Sequence, residues 1–412
     1  DIRSDLVQFS ETDVVRIKGT SPTAEVWFGA AGQVKALEVE VQASTVKMTG
    51  GNIRSDGLYG GGYGPEYDGY APSWNGNGGG FHSISNGGSG GGHGGRGGRG
   101  HYVPGGKAYG STLVPSHYGS WGGLSGYQVA SQTRGRGGGK IKILTNMLTY
   151  SSQSTSYNQI TANGGNAVPW SNSQWPGGGS GGSILIKADA IATDTGSYYI
   201  DVKGGTSSSN GGSGSGGRVA VYFASTPTNV NQPTLNSDNT NPLFGPLTRT
   251  QGGNGGKQGA SGTSFIQNWA TSEAWLKIDN ANSQGSQWNY QATHTVLDDN
   301  FLAVSADLMH ATWIDIKGRA RLHSNSSSLV LNARQIRVLQ GSTVGNSDKA
   351  YGTVALNAYE DLEVGYDGTD SMIDAVRVQL EGCNQLKIDG TVRSSGESRM
   401  FLSASSKAAI TL

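Results

Sequence analysis

The sequence predicts an all-β fold, a right-handed parallel β-helix (solenoid) with long glycine-rich loops. Three observations carry this reading: short apolar alternations of period two, their recurrence about every two dozen residues, and glycine gathered between them. Glycine supplies 68 of 412 residues, more than twice average usage, without the G-X-Y period of collagen. An apolar share of 34% with zero formal net charge excludes the usual signature of a disordered chain.

The last third is the most regular. Trp313-Ile314-Asp315-Ile316, Leu329-Val330-Leu331, Ile336-Arg337-Val338, Val354-Ala355-Leu356, Leu362-Glu363-Val364, Val376-Arg377-Val378 and Leu386-Lys387-Ile388 all alternate. Steps such as 313 to 336, 336 to 362 and 362 to 386 set a period that suits two strands and their corners in one rung. Gly341, Gly352, Gly365 and Gly382 supply corners. Because Asp315 alternates with Ile314 and Ile316, the two isoleucines are expected inside and Asp315 outside in solvent.

The glycine-rich part repeats this grammar with longer excursions. Strands are expected at 36–41, 140–143, 183–186 and 218–221, and a second series at 52–54, 159–161 and 199–201 runs into Gly57, Gly164 and Gly204. Between the series, the glycine runs are expected as loops outside the stack. The chain thus divides into an N-terminal cap or partial rung (1–35), glycine-rich rungs with long loops (36–224), an irregular connection rich in proline (225–265) and regular rungs (266–412). The strand-like 408–412 has no polar cap, so the stack is expected to continue, pair with another copy or aggregate.

Neutrality argues against nucleic acid or an anionic membrane as partner, and no apolar run is long enough to span a bilayer. No cofactor, metal or catalytic set is expected. The segment SGGGHGGRGGRG (89–100) resembles a phosphate cradle only loosely, lacking the GxxxxGKS/T frame, and reads as a packed structural loop; His93, Arg96 and Arg99 stand three apart, as on an extended glycine helix. Carboxylates at Asp298, Asp299, Glu360, Asp361, Glu363, Asp367 and Asp370 read as turn or strand-face groups, and the lone Cys383 as a corner residue. Aromatics including Trp74, Tyr102, Tyr109, Tyr118 and Trp121 either lend packing area to the glycines or stack on sugars. Asn325, in Asn325-Ser326-Ser327, is the candidate N-glycosylation position.

At GGHGGRGG (91–98), the following stretch 102–111, PSHYGSWGG (115–123), GGGSGGSILI (177–186), GGRVAVY (216–222) and GGNGGKQGASGT (252–263), the chain resembles large glycine-rich cell-surface proteins of plants, algae and other eukaryotes. The resemblance spans about 36–265 and implies a secreted, extracellular location and a non-enzymatic role. Taken together, the expectation is a structural subunit of an extracellular fibre, filament or coat that associates with itself. The alternative is a carbohydrate-binding adhesin domain.

Overall fold

Alternation of apolar and polar residues leaves each segment one face to bury, and in the computed structural model these faces are joined by parallel sheets. The structure describes residues 7–8, 14–29, 32–57, 78–80, 87–125, 134–151, 158–169, 175–193, 198–225, 248–253, 256–281, 295–296, 312–323, 328–345, 353–365, 371–375, 377–382, 385–394, 400–404 and 409–411. Among them are 26 strands and no helix.

The largest sheet has 15 strands. Its path runs from Val14–Lys18 through Glu38–Met48, Lys140–Tyr150, Ser183–Thr193, Arg218–Ser225 and Thr263–Asn268, then Ala274–Asp279, Thr312–Lys317, Ser328–Val338, Thr353–Val364, Arg377–Gly382 and Met400–Ala404. The long members carry two partners end to end: Glu38–Met48 pairs with both Val14–Lys18 and Glu25–Phe28, and Thr353–Val364 with both Arg377–Gly382 and Gln385–Ile388. A six-stranded sheet, from Val7–Gln8 to Thr248–Arg249, flanks the first half, and a five-stranded sheet, from Thr295–Val296 to Thr391–Ser394, flanks the second.

Every pairing between these strands is parallel except one. Thr263–Asn268 meets Ala274–Asp279 antiparallel, with Phe265 opposite Leu276 and Ile266 opposite Trp275. At this hairpin the strand direction reverses, and the core changes sides. Ile266 and Trp275 belong to the first core with Val41, Ile143, Ile186 and Val221 of the long sheet and Ile53, Ile160 and Ile200 of the six-stranded sheet. Phe265 and Leu276 belong to the second, with Ile314, Ile336 and Leu362 and, from the five-stranded sheet, Leu322, Val344 and Ile373. The two smaller sheets therefore lie on opposite faces of the long one.

The expected register is found in the second half. Ile314, Ile336, Leu362 and Leu386 stand in one row, Ile316, Val338, Val364 and Ile388 in another, and all eight are buried. Gly341 and Gly365 turn corners at φ of 68° and 79°, where a side chain would be strained. Asp315 corrects the sequence reading. It faces away from the isoleucines, yet it is only 2% exposed. Its side of the sheet is the side that becomes the first core one strand earlier, so Trp275 and Arg337 cover it.

The glycine runs are packed, as read for 89–100, and they pack against one another. Each joins the end of a strand in the six-stranded sheet to the start of one in the long sheet, as 162–182 joins Thr161 to Ser183 and 202–217 joins Asp201 to Arg218. Hydrogen bonds to a given neighbour recur every third residue. Gly88 and Gly91 donate to the carbonyls of Trp175 and Gly178, Gly212 and Ser215 to those of Gly88 and Gly91, and Gly178 and Gly181 to those of Gly212 and Ser215. That spacing belongs to extended chains of three residues per turn, which have no internal hydrogen bonds and offer donors and acceptors outward. Glycine at the contacting positions lets the chains approach closely enough to satisfy them mutually.

Within the stretch 225–265, read as irregular, the described part is ordered. Thr248–Arg249 adds to the six-stranded sheet, 256–262 joins the bundle, and Thr263–Asn268 enters the long sheet. Residues 226–247 lie outside the described ones. The N-terminal part supplies strands to both sheets at Val7–Gln8, Val14–Lys18, Glu25–Phe28 and Gln33–Lys35.

Candidate functional site: the glycine bundle and its aromatic residues

The packed-loop reading of 89–100 agrees with its donors, which are not left for a phosphate. The amides of Gly90, Gly91, Gly92 and Gly94 are committed to the carbonyls of Gly98, Gly178, Gly78 and Gly216. The chain also reverses at His93–Arg96 instead of continuing as one extended helix, so that Gly90 and Gly98, and Gly87 and His101, face each other. His93 fills this turn and is fully buried. Its Nδ1 donates to the Gly181 carbonyl at 2.8 Å, since a carbonyl only accepts, and Nε2 has no hydrogen-bond partner. Burial, reinforced by the Arg218 charge, pulls its pKa down to about 3.

The linkage has a definite sign. An unfolded histidine takes up a proton near pH 6.5 while the folded one refuses it until about pH 3, so His93 stabilises the fold above pH 6.5 and that contribution is lost as pH falls through this window. His93→Asn, which keeps a donor for the carbonyl, should flatten the acid side of a melting-temperature profile. A slope between pH 6.5 and 4 equal to wild type would show that His93 plays no such part.

Three of the aromatic candidates are packing groups. The Tyr109 hydroxyl donates to the Tyr118 carbonyl at 2.5 Å and lies 2.8 Å from Ser120 Oγ, and its ring centroid is 4.7 Å from that of His93. The Tyr118 hydroxyl donates to Glu38 Oε2 at 2.9 Å under the ammonium of Lys140. Burial of Glu38 works against its charge, but hydrogen bonds from Lys140 and Tyr118 hold its carboxyl below the usual range. Trp121 lies under the Arg134 guanidinium, 3.7 Å from the ring centroid. Tyr102 is different: it is 74% exposed, with φ at 142°, a region that residues other than glycine rarely enter. Trp74, Asn325, Cys383, Asp298, Asp299, Asp367 and Asp370 lie outside the described residues.

The remaining carboxylates are engaged in the stack. Glu360 pairs with Arg334 at 2.8 Å, Asp361 accepts from Gln335 Nε2 at 3.2 Å, and Glu363 stands in register between Arg337 and Lys387. Among the described residues no group of three His, Cys, Asp or Glu is placed to hold a metal ion, and no helix is long and apolar enough to cross a membrane.

Sequence reasoning missed Arg218 as a keystone. Its buried guanidinium donates to the Tyr109 carbonyl, Thr112 Oγ1 and Thr263 Oγ1 at 2.9, 2.8 and 3.1 Å. Together with Tyr222, which donates to the Leu113 carbonyl, and Ser183, which donates to that of His117, it fastens the 109–118 segment across the long sheet. The only signal was an arginine placed first in a strand, directly after two glycines. Compared with protein-family models, curated proteins and solved structures, the chain matches none.

Proposed function

We propose that the chain is a non-enzymatic structural subunit of an extracellular fibre, filament or cell-surface coat, and that its three sheets are the walls of a right-handed parallel β-helix whose glycine bundle forms an added wall. The supporting observation is the ladder itself, which runs from Val14–Lys18 to Met400–Ala404 with a single reversal. Reversing the strand direction and moving the core to the other face together preserve the hand of a coil, so both halves fit one helix sense; parallel crossovers favour the right-handed one. Backbone groups of the glycine runs are spent on internal cohesion, which suits a load-bearing element. Electron microscopy of the purified chain at high concentration should show linear or lateral association. Only compact, unassociated particles would remove this reading.

Tyr102 favours a second reading, carbohydrate recognition by an adhesin domain. An exposed ring offers a pyranose a stacking face. Glycan-array binding that disappears in Tyr102→Ala supports it, and an array with no binder overturns it.

A further inference from the structure

Zero net charge conceals a strong asymmetry. Between residues 69 and 188 there are eight lysines and arginines and not one aspartate or glutamate. In the sheet these cations are neutralised across strands, as Lys140 is by Glu38 at 2.8 Å and Lys142 by Glu40 at 3.2 Å. Four cations of the glycine bundle stand differently. Arg96, Arg99, Lys107 and Lys257 have no carboxylate at ion-pair distance among the described residues.

These four sit on three touching segments. Arg96 and Arg99 are three apart on the run that carries Tyr102 at its end. The Ala260 amide donates to the Arg96 carbonyl, the Gly97 amide to that of Gly106, and Lys257 Nζ to the Gly100 carbonyl at 2.9 Å. Lys257 is held near enough to Arg99 that burial and this like charge both lower its pKa. Arg96, Arg99 and Lys257 are half-buried, Lys107 is exposed, and the His101 ring stands edge-on to Tyr102 with centroids 4.0 Å apart.

We propose that Arg96, Arg99, Lys107 and Lys257, with Tyr102, form a binding surface for an acidic polysaccharide bearing uronate or sulfate groups. Like charges fixed on a rigid backbone are costly alone and are relieved by an anion. Arg96 and Arg99 are about 9 Å apart along an extended chain of three residues per turn, a span matched by a linear polymer and not by one small ion. Guanidinium groups bind carboxylate and sulfate in two-pronged fashion, and the Tyr102 ring supplies the apolar contact that a sugar ring uses. Four cations neutralise too few phosphates to hold nucleic acid at physiological salt, where roughly six to ten are typical. This assignment rests on the carbohydrate reading of Tyr102 and names the class of sugar.

The test is calorimetric titration of the full chain with a polyuronate oligomer, a sulfated glycan, a neutral glucan and single-stranded DNA of matched length. Binding to either acidic glycan should weaken with salt and drop about tenfold or more in Arg96→Gln/Arg99→Gln, while Lys35→Gln, outside the patch, changes nothing. Unchanged melting temperatures would confirm that the variants fold. Equal or tighter binding of DNA, or acidic-glycan binding indifferent to the double variant, overturns the proposal. Binding of the neutral glucan alone, lost in Tyr102→Ala, overturns the acidic assignment but keeps the carbohydrate reading. No glycan bound at all removes both.

Discussion

Gly214→Ala is expected to abolish the native fold, although it adds a single methyl group. An ideal Cβ at Gly214 would lie 1.9 Å from the carbonyl oxygen of Gly179 and 2.3 Å from its carbon. Both atoms are backbone, so no side chain can rotate away. Gly214 itself donates to the Gly205 carbonyl and accepts from Gly253, which fixes it from two further sides. Separating the chains to van der Waals distance would break those bonds and leave buried amides unpaired, each at about 1–3 kcal/mol. The loss should exceed about 4 kcal/mol, beyond the range of ordinary substitutions. Gly29→Ala is the control, because nothing lies within 4 Å of its Cβ position and its φ is not left-handed. There the stiffer unfolded chain should leave stability unchanged or raise it by about 0.4–1 kcal/mol. Thermal unfolding followed by circular dichroism compares the two, and a Gly214→Ala protein that melts with wild type would refute the bundle.

Packing of the glycine run could be read from the sequence, but which runs meet was invisible for a physical reason. Strands announce themselves through side chains, and Ile314, Ile336, Leu362 and Leu386 could be placed in one buried row because period-two alternation and a near-constant step determine face and register. Glycine has no side chain to alternate. Gly91 bonds Gly178, far along the chain, and no pattern in either residue selects the other. The hairpin at Asn268–Ala274 was equally hidden, since Phe265 and Ile266 are both apolar and do not declare which core each enters. For the candidate surface, the sequence supplied the right residue types but could not separate Tyr109, Tyr118 and Trp121, whose rings are used internally, from Tyr102, which is not. The concentration of cations in the bundle was legible in the local composition but was masked by the whole-chain total.

The hidden reversal leads to the second large effect, at Asp315. Alternation alone makes it a surface residue, whose loss would cost within about 0.5 kcal/mol. In the structure its carboxylate accepts from Arg337 Nε and Nη2, each at 2.7 Å, and from the Trp275 indole at 3.2 Å, with its side chain 2% exposed and that of Arg337 14%. Asp315→Ala would remove the two-pronged acceptor of the mostly buried Arg337 guanidinium and the acceptor of the Trp275 indole. Removing one partner of a buried pair costs about 3–5 kcal/mol, comparable to the roughly 2–5 kcal/mol for truncating the buried Ile316 on the other face. The two single variants should therefore melt at similarly lowered temperatures. Replacing both charges, as in Asp315→Leu/Arg337→Met, should recover part of the loss, because neither member of the pair is left behind, while Lys277 and Glu363, next in register on either side, keep their charges on this face. Urea titration of wild type, the two single variants and the double variant reads all four stabilities. An Asp315→Ala midpoint near that of wild type would place this residue in solvent and remove the shared sheet on which the junction between the two halves depends.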